Sequence, residues 1–268
     1  MKSLRYTDFG ATRLVFPPGI THNLDELSAA IENMDKFGYR ESIGTGTDPA
    51  DVTTLTAQTH PGLQPPGALT ITGGANDTLL GSGAQQVKIT YIRGDAAGDW
   101  EEYSEVVEMA GAGGATATYT ARACYRMEVT AWGASGPNVA EILATIGAVD
   151  VANITAGYGQ TRMCWSVVPG GMTGYFVGWF AQAGRHTAAW AEVHPRVRKW
   201  AAGGSRTAGV VKRTGLTVTN GPKVEEVLPV AHAYPARTVI WLRAELVSAT
   251  VAMSGGFNLI NLTNIHTG

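Results

Sequence analysis

The chain has 268 residues, 44% of them hydrophobic and 16% charged, with a formal net charge of −2. That is enough apolar material for one large domain or two small ones, which excludes an intrinsically disordered chain. The near-zero charge argues against a dedicated nucleic-acid or membrane-surface binder.

An average globular domain carries roughly 25% charged residues. Here 34 glycines, with alanine and threonine, fill the gap. Such a surface can face other proteins without burying many charges, so the composition suits an assembly component.

Residues 1–20 read as an extended arm. Thr12-Arg-Leu-Val-Phe16 is strand-like, and Pro17-Pro18-Gly19 ends it. The N-terminus, Met1-Lys-Ser-Leu-Arg-Tyr-Thr-Asp8, lacks the apolar core of a signal peptide. One short helix is expected next, with Asn23 as N-cap and Glu26 three residues on. Leu24, Leu27, Ile31 and Met34 fall on one face, and Gly38 sits where a glycine ends a helix. From 42 to 68 the chain turns irregular, rich in glycine and proline. It reads either as an arm laid over a partner or as a linker.

From 69 onward the pattern is all-β. Thr-rich Leu69-Thr-Ile-Thr72 opens the body, and a meander fills 83–132. In it Val87, Ile89 and Tyr91 alternate with Lys88, Thr90 and Ile92, the period of a strand with one buried face. Arg93 to Asp99 is the loop of a hairpin. Short strands are expected at 139–145, 151–155, 160–168, 173–180, 188–197, 216–219, 224–230, 238–247, 249–253 and 257–262. Asn220-Gly221 marks a turn. This rhythm predicts an antiparallel β-sandwich, jelly-roll-like, with an N-terminal arm and one helix. The segment 1–67 would be arm, helix and contact region. The body, 68–268, would form one piece or two halves meeting near 147/148.

Few residues suggest chemistry. The six histidines form no HxH or HExxH arrangement. His186 and His194 could share a metal across adjacent strands or be structural. Asp95, Asp99, Glu101 and Glu102 could hold a hard cation or form a solvated hairpin tip. Trp100, Trp165 and Trp179 could stack on sugars, with core packing the default. Asn76-Asp-Thr78, Asn153-Ile-Thr155 and Asn261-Leu-Thr263 match the glycosylation triplet and, without a signal peptide, say little. Cys124 and Cys164 make no disulfide framework and are expected reduced and buried. The sequence points to no cofactor, no catalytic constellation and no metal. One basic stretch, 185–213, holds Arg196, Arg198 and Lys199. It is either a solvated strand and loop or a face that docks on an acidic protein lattice.

Three stretches resemble a family of structural proteins of tailed bacteriophages. The first is Met34-Asp-Lys-Phe-Gly-Tyr-Arg40 with Gly44-Thr-Gly-Thr-Asp-Pro-Ala-Asp51. The second is Leu69-Thr-Ile-Thr72 with Gly81-Ser-Gly-Ala-Gln-Gln-Val-Lys-Ile89 and Trp100-Glu-Glu-Tyr-Ser-Glu-Val-Val-Glu108. The third is Tyr125-Arg-Met-Glu-Val129, Gly136-Pro-Asn-Val139, and Ile154-Thr-Ala-Gly-Tyr-Gly-Gln-Thr161 leading to Val168-Pro-Gly-Gly-Met-Thr173.

The resemblance implies a non-enzymatic virion component. The leading expectation is a capsid decoration protein, assembled in the bacterial cytoplasm as a homo-oligomer, with a trimer favoured. Its partners would be the major capsid protein or other virion proteins, with no membrane and no direct nucleic-acid contact. A tail or head–tail connector component and a glycan-binding surface protein are the alternatives. Contacts are expected at Phe9, Leu14, Phe16, Leu24, Leu27, Ile31 and Met34, and at Arg196, Arg198 and Lys199.

Overall fold

A computed structural model describes residues 21–22, 35–45, 50–52, 63–184, 190–201, 211–212, 215–219 and 223–265. Among these the chain is all-β. No α-helix occurs among the described residues, and one 3-10 turn spans Gly111–Gly113. The strands are β1 Thr21–His22, β2 Asp35–Ile43, β3 Ala50–Asp51, β4 Leu69–Thr72, β5 Ala84–Arg93, β6 Glu102–Glu108, β7 Ala115–Thr116, β8 Ala121–Trp132 and β9 Ile142–Ile146. They continue as β10 Val149–Ile154, β11 Trp165–Val167, β12 Met172–Ala183, β13 Trp190–Lys199, β14 Val211–Lys212, β15 Leu216–Thr219, β16 Val224–Pro235, β17 Thr238–Glu245 and β18 Val251–Ile265. Every pairing between these strands is antiparallel.

Two compact units divide the chain. One comprises Met1–Val52 and Cys164–Gly268; the other, Thr53–Met163, is inserted within it in sequence. The divisions fall at 52/53 and 163/164, whereas the strand rhythm alone suggested 67/68 and a possible seam at 147/148.

The first unit is a β-sandwich. Its five-stranded sheet runs β1-β18-β12-β16, with β2 also on β18, and its six-stranded sheet runs β11-β17-β13-β14, with β15 on β13 and β3 on β17. Period-two alternation builds the core between them. Phe176, Trp179 and Ala181 of β12 and Met253, Phe257 and Leu259 of β18 share one buried cluster with Val193 and Val197 of β13 and Ile240 and Leu242 of β17. Each large side chain so buried contributes about 1.5–3 kcal/mol against exposure.

The second unit holds two sheets, β10-β9-β4-β7 and β6-β5-β8. On β5, Val87, Ile89 and Tyr91 are buried and Lys88 is exposed, as the alternation predicts. Ile92 differs: it was expected on the outer face and is buried. The β5–β8 register shifts at Thr90/Tyr91 and again at Ile92/Arg93, and such irregularities re-aim side chains at a strand end.

Three other expectations change. Residues 23–34, which carry most of the expected helix, lie outside the described residues. Its C-terminal turn is instead strand β2, paired with β18 from Asp35↔Asn258 to Ile43↔Val251. Gly38 is therefore no helix terminator. A Cβ there would lie 2.4 Å from the Val52 carbonyl oxygen and 2.5 Å from Cys164 Cβ, so glycine permits a close backbone crossing. The described parts of 42–68 are not an arm free for a partner. Ala50–Asp51 pair with β17, the Val52 amide donates to the Leu242 carbonyl, Leu63 is buried, and Gln64 donates to Arg122. The strands expected at 249–253 and 257–262 are one, β18, because Ser254-Gly-Gly256 stays extended between β2 and β12.

Candidate interaction surfaces

The contact residues expected from sequence fall into two groups. Phe9, Leu14, Phe16, Leu24, Leu27, Ile31 and Met34 lie outside the described residues. Arg196, Arg198 and Lys199 lie on β13, and their exposure falls short of a basic docking face. Arg196 forms an ion pair with Glu245 of the neighbouring β17, both largely buried, so its charge is neutralised within the sheet. Arg198 is half-buried and Lys199 alone of the three is exposed. His194 is buried on the same strand, its Nε2 3.2 Å from the Glu192 carboxylate. Gly215 lies against its ring, leaving no room for a side chain. Among the described residues no group of three or more His, Cys, Asp or Glu side chains could hold a metal ion.

The acidic hairpin between β5 and β6 is closed by arginines. Arg93 binds Asp95 through Nε at 2.9 Å and Nη2 at 2.6 Å, and its Nη1 reaches Glu101 at 3.3 Å. Its guanidinium sits 3.8 Å from the Tyr119 ring centroid. Arg122 clamps Asp99 in the same two-pronged way, at 2.6 and 3.0 Å, and lies 4.8 Å over the Trp100 ring. Planar guanidinium matched to planar carboxylate gives these pairs a fixed geometry. The hydrogen bond from Arg93 holds the Asp95 carboxyl below its usual range.

Behind the loop, Tyr125 donates to Glu102, and Glu105 accepts from the Tyr91 hydroxyl at 2.7 Å and the Thr118 amide at 2.9 Å. Burial foremost, and these carboxylates next, push both phenols well above their ordinary pKa. All four carboxylates considered for a cation thus face protein donors. Trp100, Trp165 and Trp179 are core residues, and both cysteines are buried and outside any disulfide.

The sequence reading missed the residue that organises the other end of the second unit. Asp77 is completely buried, yet it accepts four backbone hydrogen bonds. Oδ1 takes the amides of Ala84 at 2.9 Å and Val139 at 3.0 Å; Oδ2 takes those of Gly74 and Ala140, both at 3.1 Å. One carboxylate thereby ties three chain segments together. A buried charge is tolerable only with such full satisfaction. The surrounding glycines make the room: a Cβ at Gly83 would lie 2.2 Å from Oδ1, and one at Gly73 would lie 2.9 Å from Asp77 Cβ.

Asn138 extends the lacing. It donates to the carbonyls of Ala140 and Thr155 and accepts from the Gly159 amide. The signal was present in Gly73-Gly-Ala-Asn-Asp-Thr78 followed by Gly81-Ser-Gly83, an acidic residue between glycine pairs. As a string it reads as an ordinary turn.

What this lacing holds outward is apolar. Leu80 is 94% exposed, Trp132 55%, Val139 42% and Leu79 41%. The segments meet through Gly133 N–H to Gly83 O at 2.9 Å and Ser135 N–H to Ser82 O at 2.7 Å. Residues 73–85, 130–140 and 155–161 contain one charged residue among them, Asp77, and it is buried. The result is an apolar end on a hydrogen-bonded frame, with the Arg162 guanidinium beside it over the Tyr158 ring. Exposed apolar clusters of this kind mark protein contact sites.

No known family model matches the chain. No curated protein matches it either. Among solved structures it is similar to that of the infectious bursal disease virus Gt strain, with 8% identity, 86% of this chain and 79% of that chain covered, and a TM-score of 0.18. It is also similar to that of T=1 particles derived from infectious bursal disease virus, with 10% identity, coverage of 94% and 80%, and a TM-score of 0.14. Superpositions this loose carry no weight for fold or function.

Proposed function

We propose that the protein is a structural component of a virion that works through protein–protein contacts, binding the outside of the capsid as a decoration protein. The observation that carries this reading is the exposed apolar end of the second unit, held by a buried carboxylate. The resemblance of roughly residues 34–180 to tailed-phage structural proteins agrees with it, as does the low charge content. A decoration protein that binds assembled lattice and not free subunits stabilises the shell by mass action.

Purified particles test the reading. Mass spectrometry and imaging should find many copies spread over the shell, and stripping them should lower the temperature at which the capsid opens. A few copies at one vertex would move the protein to the tail or connector, and its absence from particles would overturn the virion reading. Deleting residues 1–20 removes none of the described strands. If Phe9, Leu14 and Phe16 dock on the lattice, that variant stays folded and no longer binds particles.

A further inference from the structure

We propose that the outer face of the six-stranded sheet at Trp190 is a binding site for a neutral hexopyranose sugar, built by Trp190, Glu192, Thr217 and Thr219. Trp190 and Glu192 are two residues apart on β13, so they project from the same side of the sheet. β15 lies alongside, with Thr219 directly opposite Trp190 and Thr217 directly opposite Glu192. Ala191 and Val218, between them, turn inward to the core, so all four face outward. Trp190 is 40% exposed, the Glu192 side chain 35%, and both threonines are exposed. Residues two apart on a strand stand about 7 Å apart, and directly opposed residues about 5 Å. The four therefore frame a patch the size of one six-membered sugar ring. Trp100, Trp165 and Trp179, the candidates for stacking read from the sequence, are in the core, and Trp190 takes their place.

The patch selects its occupant by chemistry. A pyranose ring offers an apolar C–H face to the indole and hydroxyls around its rim. Glu192 accepts from those hydroxyls, and the threonine hydroxyls donate or accept. The same groups exclude other occupants. A wholly apolar partner would cover a carboxylate and two hydroxyls without hydrogen bonds. A phosphate or an acidic sugar would meet Glu192 as a like charge. Trp132, by contrast, stands with Leu79, Leu80 and Val139 and fits an apolar partner. The polar groups at Trp190 are also held in place. Its amide donates to Ser248 Oγ at 2.8 Å, and its carbonyl accepts from that hydroxyl at 3.1 Å and from the Ser248 amide at 3.0 Å. Glu192 Oε2 lies 3.2 Å from Nε2 of the buried His194, which leaves Oε1 for a ligand. Glu245, opposite Glu192 on β17, is taken up by Arg196, so Glu192 is the carboxylate that serves the patch. A few placed polar groups beside an aromatic surface are what orient a ligand.

The inference adds a ligand site on the first unit and does not rest on the virion reading. One sugar ring over one tryptophan binds weakly, at about 1 mM, and gains strength where many copies share a particle. The test uses the purified full chain, without particles. Saturation-transfer NMR is run with glucose, galactose, mannose and N-acetylglucosamine, and with a trisaccharide of each. At least one should receive saturation at the C–H protons of one ring face. Trp190→Ala should weaken that binding about tenfold or more, and Trp190→Phe, which keeps an aromatic face, should weaken it less. Glu192→Ala should weaken it about tenfold through the lost acceptor. These side chains are well exposed, so far-ultraviolet circular dichroism should match the parent and exclude misfolding as the cause. A chain that binds none of these sugars overturns the proposal. So does binding that both alanine variants retain. Choline bound in place of sugars, through the indole face and Glu192, would make the patch a cation site and overturn it too. Failure here leaves the capsid reading standing, and absence of the protein from particles leaves the sugar site standing.

Discussion

Replacing Asp77 tests the claim that one buried carboxylate frames the end of the second unit. Each of its oxygens receives two backbone amides, from Ala84 and Val139 on one side and Gly74 and Ala140 on the other. Asp77→Ala leaves four donors without their acceptor inside a closed site. An orphaned buried donor costs about 1–3 kcal/mol, and water admitted to the hole recovers part of that. The expected loss is about 3–5 kcal/mol, at the upper end for single substitutions. Asp77→Asn is the sharper variant. It is nearly isosteric, so a purely packing role predicts almost no effect. The hydrogen bonds predict otherwise, because whichever way the amide is turned its NH2 group faces two backbone N–H donors. A loss of about 2–4 kcal/mol follows from two hydrogen bonds lost at the one oxygen replaced and two donor pairs opposed there.

Urea unfolding of the full chain gives the stability change. Hydrogen exchange at the amides of Gly74, Ala84, Val139 and Ala140 shows where it arises. An Asp77→Asn chain with an unchanged midpoint and those four amides still protected would refute the account.

Gly38→Ala forces a methyl into the Val52 carbonyl and Cys164 Cβ, so it should cost about 2–3 kcal/mol and raise exchange at Val52 and Cys164. A helix-terminating glycine in the left-handed region would also lose stability on replacement by alanine, so raised exchange at Val52 and Cys164, and not the sign of the change, decides between the two. Alkaline titration should find Tyr91, Tyr125 and Tyr175, all raised by burial, protonated past the ordinary phenol value of about 10. Because their folded values exceed the unfolded one, their contribution is complete below about pH 10 and is lost as pH rises beyond it. Phenolate absorbance should therefore rise with unfolding, and early ionisation of all tyrosines would contradict the burial. Asp95 shifts the other way: Arg93 lowers it, so the pair contributes above the usual carboxylate value of about 4 and fades as pH falls. Parent and Asp95→Asn should differ slightly near neutrality and converge in acid, as measured by denaturant midpoints. A gap constant with pH would remove the ion pair as its cause.

The strands were legible wherever one face is buried and the other wet. Leu69–Thr72 and Leu216–Thr219 match the expected bounds, and Val87, Ile89 and Tyr91 point inward as alternation requires. Legibility failed where a residue's neighbours come from far along the chain. Asp35–Ile43 has turn-like glycine and charged residues, and only pairing with β18, more than 200 residues later, makes it a strand. Gly38 reads equally as a helix terminator or as a close crossing, and the crossing partners Val52 and Cys164 are invisible locally. Asp77 was missed for the same reason: two of its four donors, Val139 and Ala140, lie more than 60 residues away.

The same long-range pairing changes what the low charge content means. The sequence counts 42 charged residues apart from histidine, and a surface reading would spread them over the exterior. The structure turns several on one another. Arg93 binds Asp95 and Glu101, Arg122 binds Asp99, and Arg196 meets Glu245. Lys223 and Glu225 pair on the edge strand at 2.7 Å. Asp77 is taken out of reach altogether. Each such pairing withdraws charge from the exterior field, so the effective surface is more neutral than 16% suggests. Placing one charge at the apolar end, as Leu80→Asp would, is therefore a large relative change there and should weaken particle binding, whereas the same substitution at the exposed Val106 on the outer face of β6 should leave it untouched.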